Sequence, residues 1–194
     1  MKYLLFLFLF PYLAIAQDDL YGDKVKPKMD NDMKKWAGDK ASVCEYLKNE
    51  KDEFTKKQVI EVGTDLCTLI LDGDEIFFRY SLTIISFSGL GNKLQVEKGS
   101  TFYLRLEDDT VLNLLIEDAK HLTNSSGGGI IITCRLTEDQ LDSLTKHPAI
   151  RFRINLGIDK QDGDINTRKG RKLMQGAQCL KMHLDYERYK ASKK

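Results

Sequence analysis

Apolar residues recur at every second position along much of the chain, and this period constrains the fold more than any other feature of the sequence. Side chains of a β-strand point alternately to opposite faces, so such a period predicts strands with one buried face. The alternation is clearest in six stretches, namely 66–71, 76–84, 102–106, 112–116, 130–136 and 150–156. We therefore predict a sheet-based fold with a single apolar layer.

Turn residues between these stretches predict antiparallel hairpins. Asp72 and Gly73 supply the positive φ that a tight hairpin requires, and Asp108 and Asp109 interrupt a second pair of strands. The stretch 42–62 fits either a helical turn or a further pair of strands, and we favour the strands. The polar stretch Asp159–Asp164 is interpreted as a turn, because its acidic residues lack the spacing of a calcium-binding loop.

Two segments carry helix signals. Thr137 and Gln140 have the spacing of a capping box, which marks the start of a helix, and Pro148 marks its end. A short helix is therefore predicted near 137–147. A C-terminal helix is predicted near 169–184, because apolar residues recur there with helical spacing at Leu173, Ala177, Leu180 and Leu184. The charged residues that follow are expected to fray.

The order of these elements predicts the fold class. About seven strands come in consecutive runs and do not alternate with helices, which favours an α+β domain with a mostly antiparallel sheet. We expect one such domain over residues 41–194, and the polar residues 17–40 are expected to form a mobile leader.

Residues 1–16 have the pattern of a signal peptide. Lys2 gives a positive start, an apolar run follows, and Ala14 and Ala16 are small residues suited to cleavage before Gln17. The apolar run is shorter than the roughly 20 residues that span a bilayer as a helix. The expected product is secreted or periplasmic, with no membrane span after cleavage.

Composition excludes several classes of protein. Of the 194 residues, 42% are hydrophobic and 9% aromatic, which suffices for a packed core and excludes a disordered chain. The formal net charge of +1 gives no indication of a nucleic-acid partner. No nucleotide-binding motif is present, and His121, His147 and His183 show no metal-binding spacing. We expect neither a cofactor nor a metal.

Four cysteines allow two disulfides in an exported chain. The cysteines are Cys44, Cys67, Cys134 and Cys179. Three connectivities are possible and the sequence does not choose between them. Buried free thiols are the alternative, since cysteine also behaves as a small hydrophobic residue.

The candidate ligand-binding residues are arginines that occupy the outward-facing alternate positions of several strands. If the apolar positions face inward, the outward positions include Arg79, Arg105, Arg135, Arg151 and Arg153, with Tyr103 nearby. Guanidinium groups gathered on one sheet face can hold carboxylates, sulfates or phosphates. The competing interpretation is that these arginines form ordinary cross-strand ion pairs on a solvated face.

These patterns lead to two functional hypotheses. The first is a non-enzymatic binding module of the cell envelope that engages an anionic, glycan or protein partner through a sheet face or edge. The partner itself is not indicated. The second is a small extracellular hydrolase whose catalytic residues are scattered in the sequence, and no catalytic residue is nominated.

The chain resembles small exported bacterial proteins of unassigned function that are rich in β-structure and close with a helix. The stretches that carry the resemblance are Cys44 with 49–55, residues 137–141 leading to 150–153, and 177–180. The resemblance implies an exported location and the fold class, and it assigns no functional residue.

Overall fold

A computed structural model describes residues 28–53, 55, 57–64, 67–84, 96–124, 127–156 and 159–193. The predicted signal peptide and the first part of the predicted leader lie outside these residues. Helix α1 spans Asn31–Ala37 and continues into a short 3₁₀ helix at Gly38–Val43. Residues 31–40, which belong to the predicted leader, thus lie in these two helical elements. Met33 is buried there against Met182 and Tyr186, which anchors α1 on the C-terminal helix.

Nine antiparallel strands form one sheet, which confirms the predicted α+β class and adds strands to the predicted seven. The strands are β1 (Tyr46–Lys51), β2 (Gln58–Gly63), β3 (Cys67–Asp72), β4 (Glu75–Ile84), β5 (Thr101–Leu106), β6 (Val111–Asn124), β7 (Gly127–Leu136), β8 (Ala149–Leu156) and β9 (Asp159–Asp164). Their spatial order is β1-β2-β3-β4-β7-β6-β5-β8-β9. The first four strands form a meander, and β7 then inserts between β4 and β6.

Strand β9 corrects the interpretation of 159–164 as a turn. It pairs with β8 along its length, with Arg151 opposite Asp164 and Arg153 opposite Asp162. The segment has almost no apolar residues, so the period that marks the other strands is missing from its sequence. Charged side chains suit an edge strand, because they discourage pairing with another chain.

The two hairpins form as the sequence predicts, although the β3–β4 loop begins one residue later than expected, because Asp72 still belongs to the strand. Asp72 pairs with Glu75, so Gly73 and Asp74 form a two-residue loop, and Gly73 has the positive φ of 65° that such a turn needs. In the β5–β6 hairpin Asp109 takes a φ of 67°. Aspartate tolerates this left-handed region better than most residues do.

The sheet is strongly curved, and four aromatic rings fill its concave side. Four strand spacings separate β4 from β8 in the sheet, which is about 19 Å if the sheet is flat. The ring centroids of Tyr80 on β4 and Phe152 on β8 are nevertheless only 4.7 Å apart. Phe102 contacts both rings and also Phe78. The concave side is therefore packed with side chains.

Two helices cover the concave side. Helix α2 spans Glu138–Lys146 and α3 spans Thr167–Ser192. All four residues of the predicted stripe on α3 are buried. Gly170 is required where α3 meets β8, because a Cβ there would lie 2.2 Å from the carbonyl oxygen of Ala149.

Helix α3 continues to Ser192, although fraying was expected after 184. Tyr186 packs against Trp36 of α1 with ring centroids 5.4 Å apart. Arg188 forms an ion pair with Glu138 of α2. These tertiary contacts stabilise a terminal segment whose local sequence gives little reason for order. No helix in the described ranges is both long and apolar enough to span a membrane.

The N-terminus of α2 carries the predicted capping box. The backbone N–H of Gln140 donates to Thr137 Oγ1 at 3.2 Å, and the backbone N–H of Thr137 donates to the side-chain Oε1 of Gln140 at 2.9 Å. Thr137→Ala should therefore lower the free energy of unfolding by about 1 kcal/mol. Urea denaturation measures the change. Ser143→Ala in the same helix is the control, and an equal loss in both variants would argue against the cap.

Candidate functional site

The outer face of β5, β8 and β9 forms a shallow cleft of about 410 Å³, here called the outer cleft. Its lining includes Tyr103, Arg105, Arg151, Arg153, Asn155 and Lys160, together with the acidic Asp162. The period of two explains their convergence, since Phe102, Leu104, Phe152 and Ile154 between them point into the core. Four of the six predicted ligand-binding residues therefore surround one depression.

Cross-strand pairing sets the spacing of these residues. Arg105 lies directly opposite Arg151 across β5 and β8, and Tyr103 lies opposite Arg153. Opposed residues of an antiparallel pair have Cβ atoms about 5 Å apart. The side chains of Arg105 and Arg151 are therefore neighbours on the outer face, where carboxylates or a bound anion would reduce the repulsion between like charges.

Aspartates provide part of that counter-charge. Arg153 makes a bidentate pair with Asp162, with Nε–Oδ1 at 2.6 Å and Nη2–Oδ2 at 2.7 Å. The hydrogen bond from Arg153 is the main reason that the pKa of Asp162 is lowered. Arg105 Nε donates to Asp109 Oδ1 at 3.0 Å. Both arginines are therefore held in place by carboxylates from the protein.

Arg151 is held more loosely. Its guanidinium lies 3.6 Å from Asp164 Oδ1 and 4.0 Å from Asp162 Oδ2, which are ion-pair distances too long for hydrogen bonds. The side chain is half exposed. Arg151 is thus the arginine of the outer cleft whose donors are most available to a ligand.

The remaining two predicted arginines lie outside the outer cleft. Arg79 is 3.6 Å from Glu61, and Arg135 bonds to Glu117 at 2.6 Å and to Glu75 at 2.9 Å. Arg135 also lies over the ring of Phe77. For these two residues the structure matches the interpretation as ordinary cross-strand ion pairs.

Sequence reasoning missed Asn155 and Lys160. They face each other across β8 and β9, and the Oδ1 atom of Asn155 is buried with no hydrogen-bond partner among the described residues. The alternation of Lys160, Asp162 and Asp164 is a period of two that could have indicated a strand. It was not recognised because the alternating residues are charged.

The four cysteines separate into one disulfide and two thiols. Cys44 is bonded to Cys179, whereas Cys67 and Cys134 are free and buried on the concave side. Burial raises the pKa of the Cys67 thiol to about 11 and that of Cys134 to about 12. Both thiols are therefore protonated at neutral pH, which does not favour a nucleophilic role.

His183 lies beside the disulfide on α3 and is almost completely buried. The Tyr46 hydroxyl is 2.7 Å from His183 Nε2. Desolvation lowers the pKa of His183 to about 4, with smaller influences from Glu187 and Lys190. The imidazole is therefore neutral at physiological pH, and Tyr46 holds its ring in place.

This burial predicts a loss of stability in mild acid. Between pH 6.5 and about 4 the unfolded chain protonates His183 and the folded chain does not, so the free energy of unfolding falls as the pH falls. The difference between the two pKa values corresponds to a loss of about 3 kcal/mol across that window. Denaturation of the wild type and of His183→Asn at pH 7 and pH 4.5 isolates this contribution. Equal pH dependence in the two proteins would contradict it.

The other described histidines do not complete a catalytic triad. His147 Nε2 is 3.4 Å from Asp108 Oδ2, and the Thr110 hydroxyl donates to that carboxylate and not to the imidazole. Within the described ranges, no histidine has both a carboxylate and a Ser or Thr hydroxyl as polar partners. Thr110 lowers the pKa of Asp108, with a smaller contribution from His147. The pair is a surface ion pair next to the β5–β6 turn.

Comparison of the chain with protein-family models, with curated proteins and with solved structures finds no match.

Proposed function

We propose that the chain is an exported binding module that holds an acidic glycan in the outer cleft. The observation that carries the proposal is the convergence of Tyr103, Arg105, Arg151 and Arg153 around one depression. A module of this kind needs a preformed surface with charged groups in fixed positions. The carboxylates that hold Arg105 and Arg153 provide that order.

The arginines would bind the acidic groups of the glycan. A guanidinium presents a planar fork that matches a carboxylate or a sulfate through two parallel hydrogen bonds. Arg151 has donors that no described residue satisfies at hydrogen-bond distance. Arg105 lies directly opposite, so an anion placed between the two would reduce their mutual repulsion.

Tyr103 and Asn155 would contact the sugar ring. An aromatic ring offers an apolar face for the C–H groups of a sugar, while its hydroxyl stays in water. Asn155 also lines the outer cleft, and because its Oδ1 atom is buried, its side-chain N–H groups would be the donors to a sugar hydroxyl. This combination favours an acidic glycan over a simple inorganic anion.

Export remains part of the proposal. A disulfide between Cys44 and Cys179 is typical of proteins that fold in an oxidising compartment. The signal-peptide pattern of residues 1–16 points to the same secreted or periplasmic location. A partner in the cell envelope is consistent with both.

Affinity measurements with defined probes test the proposal. Polygalacturonate and dextran sulfate serve as acidic glycans, neutral dextran as the uncharged control, and polyglutamate as an acidic peptide. We expect the two acidic glycans to bind and the neutral one not to bind, with weaker binding at higher salt. Equal binding of polyglutamate would instead favour an acidic protein partner.

Variants locate the binding on the protein. Arg151→Ala should weaken binding of the acidic glycans at least about tenfold, since a charge-assisted hydrogen bond contributes roughly 1.5–3 kcal/mol. Arg79→Ala is the matched control, because Arg79 is on the same sheet but outside the outer cleft. An unchanged affinity in Arg151→Ala, or an equal loss in Arg79→Ala, would contradict the proposal.

A further inference from the structure

The disulfide and His183 form a compact group of metal-ligating side chains. Cys179 and His183 are one helical turn apart on α3, and Cys44 follows the 3₁₀ helix. The two Sγ atoms and a ring nitrogen of His183 all lie within 4.8 Å of one another. Cys179 and His183 are buried, and Cys44 is half-buried.

Two thiolates and one imidazole are a donor set suited to zinc. Zinc binds cysteine sulfur at about 2.3 Å and histidine nitrogen at about 2.0–2.1 Å in tetrahedral sites. Ligand atoms on one tetrahedral zinc ion are therefore about 3.5 Å from each other. The two sulfurs are bonded to each other and lie closer than that, while the histidine nitrogen is within 4.8 Å of both. The sulfurs must therefore move apart after reduction to make room for the ion.

We propose that reduction of the Cys44–Cys179 disulfide converts this group into a zinc site with Cys44 Sγ, Cys179 Sγ and His183 as ligands. The reductant is a dithiol, which delivers two electrons and two protons to the disulfide and itself becomes a disulfide. Zinc then displaces the two thiol protons, which pass to solvent. Water completes the tetrahedron as the fourth ligand.

The surroundings support both steps. Cys44 and Tyr46 line an open cleft of about 910 Å³ beside α1, so a thiol reductant or a metal ion would approach the group from the side of Cys44. The Tyr46 hydroxyl contacts His183 Nε2 at 2.7 Å, so Nδ1 would be the nitrogen that binds zinc. A hydrogen bond from Nε2–H to the Tyr46 oxygen orients a metal-binding imidazole in this way. The other two cysteines, Cys67 and Cys134, are buried free thiols and do not belong to this group of ligand atoms.

The zinc ion would replace the covalent link that reduction removes. Cys44 and Cys179 are 135 residues apart in the sequence, so any bond between them restricts the unfolded chain strongly. A metal held by both sulfurs restores that restriction. The chain would then have two cross-linked states, one for oxidising and one for reducing conditions.

Zinc titration of the reduced and oxidised protein tests the proposal. The full chain is reduced anaerobically with a phosphine, which is removed before zinc sulfate is added in competition with a chromogenic chelator. We expect one zinc per chain in the reduced protein and none in the oxidised protein. Cobalt in place of zinc should give thiolate charge-transfer absorption. Circular dichroism follows the fold throughout, and zinc should restore a folded spectrum if reduction has unfolded the chain.

Matched variants separate this site from other thiols and histidines. His183→Ala should lower the zinc affinity at least about tenfold, whereas His147→Ala and Cys67→Ala with Cys134→Ala should retain it. The proposal is overturned if the reduced wild type takes up no zinc, if zinc fails to restore a lost fold, if His183→Ala binds as tightly as the wild type, or if binding disappears with Cys67 and Cys134.

Discussion

Replacing Cys44 and Cys179 together by serine should lower the free energy of unfolding by about 4 kcal/mol. The disulfide joins residues 135 apart, and the loss of loop-closure entropy in the unfolded chain for such a separation corresponds to about 5 kcal/mol. Measured effects of native disulfides are about 2–5 kcal/mol. Guanidinium denaturation of the wild type and of the double variant measures the difference.

The free cysteines provide the comparison for this result. Cys134→Ala removes a buried sulfur from the concave side without removing a cross-link, so its cost should be near 1 kcal/mol. A loss below about 1 kcal/mol in the double serine variant would show that the cross-link contributes little to the fold. It would also weaken the expectation that the chain depends on an oxidising compartment.

Phe102→Ala should lower the free energy of unfolding by about 4 kcal/mol. The Phe102 ring is completely buried and contacts Phe78, Tyr80 and Phe152. Its removal would leave a cavity where the two halves of the curved sheet meet, and cavities of this size in a core cost about 3–5 kcal/mol. Urea denaturation measures the loss.

The neighbouring residue is the matched control for this variant. Tyr103 follows Phe102 in β5 and points into the outer cleft. Tyr103→Ala should cost about 1 kcal/mol or less, because the ring is only partly buried. Comparable losses in the two variants would contradict the assigned register of β5.

The period of two allowed most strands to be predicted because it depends only on adjacent residues. In stretches such as 102–106 and 150–156 every second side chain faces the core. The same alternation of apolar residues is visible in the sequence of each stretch. The cap of α2 is equally local. Strand β9 was missed because an edge strand buries little, so its sequence carries charge in place of the apolar period.

Features that depend on distant partners could not be predicted. The insertion of β7 between β4 and β6 is decided by which edges meet, and the curvature is decided by how the aromatic rings pack. The pairing of Cys44 with Cys179 depends on α1 and α3 being adjacent. The end of α3 depends on Tyr186 packing against Trp36, which lies far away in the sequence.

The candidate site was predicted only in part for the same reason. The alternation of side chains along each strand predicts that all five arginines face outward. The order of the strands in the sheet decides which of them are neighbours. Because β5 lies beside β8, Arg105, Arg151 and Arg153 come together with Tyr103. Arg79 on β4 pairs with Glu61 of β2, and Arg135 on β7 pairs with glutamates of β4 and β6.

Mapping the binding surface by NMR tests the central claim most directly, namely that the outer cleft is the functional surface. Backbone amide shifts of the full chain are followed while a short oligomer of galacturonic acid is added. We expect shifts concentrated in β5, β8 and β9, around Tyr103 and Arg151. No shifts at saturating oligomer, or shifts confined to α1 and the β1 edge, would contradict it.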